Sequence, residues 1–516
     1  MTPDRQPRPS VTAAHQPGPS VTASHQPGPS ETAARQPRPS GRGFELGEFH
    51  TFEGGGHKFL YSVPAGAIFE MDGGAAAVIS ELEGKQATRE ELVSALLARD
   101  FAYHDASDLV DELAQARAIV PTGAVRDPLE PPPADFPLQS LVMNLTNQCN
   151  LSCQYCYEFG ADKVATPEGK PKFMDLETAK ASVDFLFAQS SGRRAVHITF
   201  FGGETLMNFP LLRQVVDYSH ERATVLGRSI DFSLTTNATL LTPAIIEFLS
   251  ENRIGVTVSM DGPPDLHDKL RVFSNGRGSY SIIEPRVKAL IQGHRTRPIC
   301  ARVTLTNGVT DVVRIFRHLK NEMGFHEVGF APVTTSPDRL YAINESGMDG
   351  VLDQFHILAD EYLEYALRGE MHGFTNVSDT IAELYQGVNK SHPCGAGLGL
   401  LGVGPSGDIA PCHRFVDSDT HSLGNIATGV DREKRADFLA RGHIDRKYDC
   451  HTCWARPLCA GGCHHEAFVR YGDTGHPNLH YCDWIRDWTD TCLRIFGTIS
   501  VKNPEFLEKF AERKAL

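Results

Sequence analysis

The sequence predicts an α/β protein: a partial (β/α)6, TIM-like barrel, a small mixed domain before it and a Cys-rich domain after it. Three observations carry this. Short apolar strands alternate with helical periodicity from about residue 138 to 335, which argues for parallel βα units closed or half-closed into a barrel. Helical spacing follows an extended stretch between residues 44 and 125. Beyond residue 390 the chain turns rich in Cys and Gly, and most of it lacks clear periodicity.

The elements follow in chain order. Gln6, Gln16, Gln26 and Gln36 each open a Gln-Pro-x-Pro-Ser unit of period ten. Such a composition buries too little apolar surface to offset chain entropy, so residues 1–43 are expected to be a disordered tail. In residues 44–125, the run from Lys58 to Pro64 leads into Ala67–Met71. Apolar residues then recur at Ala77, Val78 and Leu82, at Leu92, Leu96 and Leu97, and at Leu109 and Leu113. This predicts a β-hairpin and about three short helices. Pro131-Pro132-Pro133 marks a linker over 126–137.

The expected barrel strands are Leu141–Leu145, Val196–Phe200, Asp231–Leu234, Gly255–Met260, Cys300–Leu305 and Glu327–Ala331. The helices between them include Leu176–Gln189, Leu211–Leu226, Pro243–Glu251, Ile282–Gln292 and Val312–Met323. Residues 336–389 form a helical connection, 390–495 the Cys-rich domain and 496–516 a C-terminal tail.

Composition narrows the function. The 516 residues allow two or three cored domains. A net charge of -14 disfavours a nucleic-acid partner. No run approaches 18 consecutive apolar residues, so no membrane span is expected. The N-terminus has no apolar core of a secretory signal. Twelve cysteines without an export signal point to metal binding in a reducing, cytoplasmic setting rather than to disulfides.

The first strand runs into Cys149-x3-Cys153-x2-Cys156, with Tyr155 inside the loop. Such a loop can fold three thiolates onto three irons of one cubane and leave the fourth iron open. Structural zinc wants four closed ligands, and the loop holds no fourth Cys or His. The loop resembles the signature of the radical S-adenosylmethionine (SAM) superfamily. That resemblance implies an open iron that chelates SAM and reductive cleavage to a 5′-deoxyadenosyl radical, which abstracts hydrogen from substrate. It also implies oxygen sensitivity and a reducing electron donor such as flavodoxin or ferredoxin.

Further turns follow the next strands in order. Gly202-Gly203-Glu204 resembles the family's Gly-Gly-Glu turn, which holds the SAM amino group. Thr235-Thr236-Asn237 resembles the polar turn beside the SAM ribose, so Thr235 and Asn237 are expected there. By the same resemblance Ser259 and Arg271 contact the ribose and carboxylate, and Tyr155 joins the cofactor-binding set. Asp261, before Gly262-Pro263-Pro264, is a candidate proton-accepting group or an ordinary turn residue.

Seven more cysteines form a second pattern: Cys394, then Gly407-x4-Cys412, then Cys450-x2-Cys453-x5-Cys459-x3-Cys463, then Cys482. It resembles the SPASM domain, the auxiliary-cluster domain of peptide-modifying radical SAM enzymes. The resemblance implies that Cys394, Cys412 and Cys463 hold one auxiliary [4Fe–4S] cluster and that Cys450, Cys453, Cys459 and Cys482 hold the other. With the first loop this makes three clusters. Leu400 stands where some relatives carry a fourth Cys for the first auxiliary set. Its fourth ligand is then absent, or is His413, Cys300, Cys492 or a substrate cysteine. Inert buried packing is expected of Cys300 and Cys492. Zinc ribbons are the bland alternative.

Sulfatase-maturating members carry a catalytic Asp directly after the Gly-x4-Cys cysteine, where this chain has His413. Cys394-Gly395-Ala396-Gly397 and Cys412-His413-Arg414-Phe415-Val416 look instead like the thioether-forming branch. There the resemblance is to the maturase family of quinohemoprotein amine dehydrogenase, which links Cys sulfur to Asp or Glu methylene carbons of a small subunit. It implies a Cys-containing peptide or small protein subunit with a leader peptide as substrate. Residues 44–125 resemble the winged-helix-like recognition domain of such maturases, where an extended peptide would pair with a sheet edge. Carbon–carbon crosslinking, peptide oxidation, radical modification of a small molecule and a zinc-loaded binding protein are the alternatives. His464-His465-Glu466 reads as a solvated pair, since adjacent helical residues do not share a face.

Overall fold

The computed structural model describes residues 43–511 apart from 126–128, 130–131, 134–135 and 166–167. The Gln-Pro repeats and part of the 126–137 linker lie outside the described residues.

Strand β1 (Phe44–Leu46) pairs antiparallel with β5 (Ile119–Pro121). Between them β2 (Phe49–Gly54), β3 (His57–Ser62) and β4 (Ala67–Met71) form an antiparallel sheet, followed by α1 (Gly73–Leu82), α2 (Arg89–Leu97) and α3 (Tyr103–Gln115). The hairpin expected from sequence is thus a three-stranded sheet. Gly55 and Gly56 supply the two positive φ values, 62° and 90°, that a tight β2–β3 turn needs. Asp72 caps α1, and Thr88 with Glu91 builds a capping box on α2. Strand alternation splits β3 between two cores. Leu60 joins Val78, Leu92, Leu96 and Leu109 under the helices, while Phe59 and Tyr61 join the main core of the molecule.

Six parallel strands follow: β6 (Ser140–Thr146), β7 (Ala195–Gly202), β8 (Ser229–Thr236), β9 (Gly255–Ser259), β10 (Ile299–Leu305) and β11 (Glu327–Pro332), each hydrogen-bonded to the next. The connecting helices are α4 (Leu176–Gln189), α5 (Phe209–Leu226), α6 (Pro243–Glu251), α7 (Pro264–His267), α8 (Tyr280–Gly293) and α9 (Val312–Arg317), which widens into a π turn over His318–Glu322. Then come α10 (Glu345–Leu367) and α11 (Thr375–Tyr385).

The sheet does not close on itself. On its β6 edge it continues into β12 (Leu400–Val403), parallel to β6, and then antiparallel into β13 (Asp408–Ala410), β14 (Gly424–Asn425) and β15 (Gly429–Val430). These four short strands had no periodic signal, because the longest has four residues. The Cys-rich segment also holds α12 (Arg432–Gly442), α13 (Arg456–Cys459), α14 (His464–Tyr471) and α15 (Cys482–Lys502).

Two sequence expectations fail here. A boundary at 495 cuts through α15, and the helical turn Pro504–Phe510 buries Phe506, Leu507 and Phe510, so 496–510 is packed chain rather than tail. His464, His465 and Glu466 are not solvated: all three are buried, because α14 is enclosed by Phe415, Phe438 and the loop carrying His480.

Alternation also defines an inner sheet face. Val196, Ile198 and Phe200, like Ala301 and Val303, point into the apolar core. The opposite face carries His197, Thr199, Phe201, Ser233, Thr235, Thr257, Ser259, Cys300, Arg302 and Thr304.

Candidate active site

The three-Cys loop springs from the end of β6 and is locked by backbone bonds on two sides. Gly203 and Glu204 donate their N–H groups to the carbonyls of Thr146 and Gln148, at 3.0 and 2.9 Å. Ser152 and Gln154 donate to Val272 and Leu270, at 2.7 and 3.3 Å. Both glycines of the Gly-Gly-Glu turn are dictated by this approach. A Cβ on Gly203 would lie 2.2 Å from the Gln148 carbonyl oxygen, and one on Gly202, at φ 120°, 2.2 Å from that of Thr146.

Glu204 is buried. One carboxylate oxygen accepts from Leu206 N–H at 3.1 Å and Thr236 Oγ1 at 2.7 Å, the other from Asn237 N–H at 2.7 Å. Asn237 in turn donates Nδ2 to Asn150 Oδ1 at 3.0 Å and to Cys149 Sγ at 3.8 Å. The turns after β7 and β8 therefore clamp the first cysteine. Thr236, next to the expected Thr235, makes the bond to Glu204, while Thr235 and Ser259 face inward from β8 and β9.

Asp261 is buried and fully engaged. It accepts from Arg271 Nε at 2.7 Å, from Thr304 N–H at 2.9 Å and from the Tyr155 hydroxyl. The Arg271 guanidinium also lies 5.4 Å from the Tyr155 ring centroid. His267 accepts from Asp261 N–H at 3.2 Å through Nδ1, so its Nε2 donates to Ser279 Oγ at 2.9 Å. Burial, reinforced by Arg271, lowers its pKa to about 3 and keeps it neutral. Tyr155, Asp261 and Arg271, expected to act separately, thus form one network behind the cluster loop.

None of the twelve cysteines is in a disulfide. Burial pushes the Cys149 and Cys156 thiols up to about 12, with the neighbouring loop thiols adding to it. Cys412 is raised to about 12 by burial and then by Cys463 and Cys394. Cys450 is raised to about 12 by burial and then by Cys459, with Cys482 and Cys453 adding to it. The cysteines therefore sense one another in three sets: 149/153/156, 394/412/463 and 450/453/459/482. Cys492 is buried on α15, whereas Cys300 is half-buried on the inner face of β10 and is not core packing.

Among the described residues no three Cys, His, Asp or Glu side chains converge tightly enough for a single metal ion. Lys447 lies beside two of these sets. It is 2% exposed, its Nζ donates to the Ala460 carbonyl at 3.1 Å, and it feels Cys450, Cys459, Cys394 and Cys463. A buried ammonium is favoured by negative charge beside it. Sequence gave no cue to Lys447 beyond its nearness to Cys450.

Glu158, two residues past Cys156, was also missed. Burial and Asp417 push it up to about 8. His413 is packed among rings, 4.5 Å from Phe201 and 5.9 Å from Tyr157, and burial and Arg414 lower its pKa to about 3. Leu400 opens β12 opposite Ser140, built into the sheet.

Residues 143–319 match the family model described as Radical SAM superfamily. The chain is 35% identical over 142 residues to the uncharacterized protein MJ0907 of Methanocaldococcus jannaschii, over 28% of this chain and 45% of that one, so it spans less than half of that relative. It is 26% identical over 368 residues to the serine-type anaerobic sulfatase-maturating enzyme of Bacteroides thetaiotaomicron, over 67% of this chain and 86% of that one. Among solved structures, native anSMEcpe with bound AdoMet and Cp18Cys peptide superposes with a TM-score of 0.59 at 21% identity, over 71% of this chain and 99% of that one. No helix among the described residues is long and apolar enough to cross a membrane. The open parallel sheet with its three-Cys loop is therefore a radical SAM fold, and residues 143–319 are similar to the radical SAM superfamily, a likeness that implies SAM and a [4Fe–4S] cluster as cofactors.

Proposed function

We propose that this protein is a peptide-modifying radical SAM maturase that forms intrapeptide thioether crosslinks from Cys sulfur to a side-chain carbon, an Asp or Glu methylene by its resemblance. Cys149, Cys153 and Cys156 would hold the SAM-binding cluster, and Gly202, Gly203, Glu204, Thr235, Asn237, Ser259 and Arg271 would surround SAM. When bound, these cofactors supply a 5′-deoxyadenosyl radical that takes one hydrogen atom from a substrate carbon. The two C-terminal sets would hold auxiliary clusters able to receive the electron released as sulfur joins that carbon. The thiol proton leaves to solvent or a nearby base.

The observation that carries the thioether reading is the first auxiliary set. It has three cysteines, Leu400 is committed to β12, and His413 stands where sulfatase maturases have their Asp. An iron with a free position can take the substrate thiolate and hold it deprotonated beside the radical carbon. Tyr155, Asp261 and Arg271 brace the cluster loop in this reading, so Asp261 acts as a positioning residue. The small N-terminal domain offers β4, paired only to β3 among the described residues, as an edge for an extended leader.

The test is anaerobic turnover with SAM, dithionite and a Cys-containing peptide encoded beside this chain. A product lighter by two hydrogens per crosslink and resistant to thiol alkylation is expected. A lighter product whose thiols still alkylate would move the assignment to carbon–carbon crosslinking or oxidation.

A further inference from the structure

The N-terminal domain reaches the loop of the 450/453/459/482 cysteines at two points. Glu48, just before β2, pairs with the buried Arg456. Arg456 opens α13, and α13 ends at Cys459. The same guanidinium donates Nη1 to the Cys453 carbonyl at 3.1 Å, and the Arg456 N–H donates to that carbonyl at 3.2 Å. His50, on β2, lies flat on Trp454, the residue after Cys453, with ring centroids 3.7 Å apart and planes 7° from parallel. Its Nε2 bonds Asp490 at 2.7 Å on α15, the helix that starts at Cys482. Cys453 N–H in turn donates to the Cys450 carbonyl at 3.0 Å. Glu48 and His50 thus brace the segments that carry all four cysteines of this set.

Both contacts bear on a cluster's potential. A guanidinium beside a negatively charged cluster favours the reduced form, which carries one more negative charge, and a carboxylate paired with that guanidinium cancels much of its field. The flat His50–Trp454 pair covers the ligand loop, and water admitted there favours the more highly charged, reduced form. Glu48 and the stack therefore act in the same direction.

We infer that Glu48 and His50 are positioning residues of the second auxiliary cluster: the N-terminal domain completes that site and, through Arg456 and Trp454, holds the cluster's potential low. The inference rests on the reading above in which these four cysteines hold a cluster, and it gives the N-terminal domain a share in redox chemistry besides peptide recognition.

The experiment uses the full-length protein, reconstituted anaerobically, with its clusters followed by EPR redox titration. The signal of the second auxiliary cluster is the one missing from a Cys453→Ala, Cys482→Ala variant. In Glu48→Gln, at a fixed poise, the reduced-to-oxidised ratio of that cluster should rise about tenfold, an upward shift of about 59 mV, while the first auxiliary cluster keeps its potential. Glu48→Asp should restore part of the difference. His50→Gln, which loses the stack, should also raise the potential, and His50→Phe, which keeps a flat ring on Trp454, should stay near wild type. A Glu48→Gln protein that loses this one cluster and retains the other two supports the inference as well. An unmoved potential at full iron content overturns it, as does an equal shift of both auxiliary clusters. So does equal loss of all three clusters in Glu48→Gln and Glu48→Asp, which would make the ion pair a general folding contact. A wild type without the second signal overturns the cluster reading and this inference together, whereas an unmoved potential in a protein that shows the signal counts against this inference alone.

Discussion

Asp261 illustrates how far a residue's chemistry depends on its neighbours. Three donors and the Arg271 charge occupy its carboxylate, and the pair is 3% and 9% exposed at the side chains. Removing one partner of such a pair strands the other, so Asp261→Asn is predicted to cost about 3 kcal/mol in denaturant unfolding and to weaken SAM binding. His267, one bond away, gives a pH prediction. Its pKa is about 3 in the folded protein against 6.5 for the free side chain, because burial opposes its charge. Between those values the unfolded chain binds the extra proton, so stability is complete above about pH 6.5 and falls as pH drops toward 3. Urea midpoints measured from pH 7 to 5 should fall for the wild type and fall less for His267→Gln. Equal slopes would show that His267 does not titrate on unfolding.

At the scale of elements, the turns after β7 and β8 work because they close on the cluster loop. Gly203→Ala should therefore lose the SAM-site iron while the auxiliary iron stays, as counted by Mössbauer spectroscopy. Lys447 ties the two auxiliary sets together, with Gly461 at φ 82° leaving its chain 2.5 Å from where a Cβ would be. Lys447→Met removes a fixed counter-charge, so the potentials of the two proposed auxiliary clusters should drop in an EPR redox titration. Unchanged potentials would mean the lysine serves packing alone. The parallel strands and their helices were legible in sequence because each strand carries an apolar run and each helix a full period. Helices α4 and α6 fall on their expected residues. Strands β12 to β15 were not legible, since two to four residues establish no alternation. The site's cysteines and glycines announce themselves by spacing. Thr236 and Lys447 do not, because Glu204 and Cys394, which they meet, are far from them in the chain.

At the scale of the whole molecule, the N-terminal domain is built into the body. Phe52, Phe59 and Tyr61 belong to the main core, and a Cβ on Gly497 of α15 would lie 2.9 Å from the Phe59 ring. Glu48 pairs with Arg456, and His50 bonds Asp490 at 2.7 Å while stacking on Trp454 at 3.7 Å. Trp454 directly follows Cys453, so the proposed peptide-recognition domain touches a loop of the second auxiliary set. Phe59→Ala should cost about 3–5 kcal/mol and lower one cooperative transition rather than release a separate domain. The central claim is that three cysteine sets carry three clusters for radical chemistry on a peptide. Iron and sulfide analysis of the anaerobically reconstituted chain tests it most directly. The account predicts about twelve irons per chain, falling to about eight when Cys149, Cys153 and Cys156 are all replaced by Ala. About four irons in the wild type, none of them retained in that variant, would contradict it.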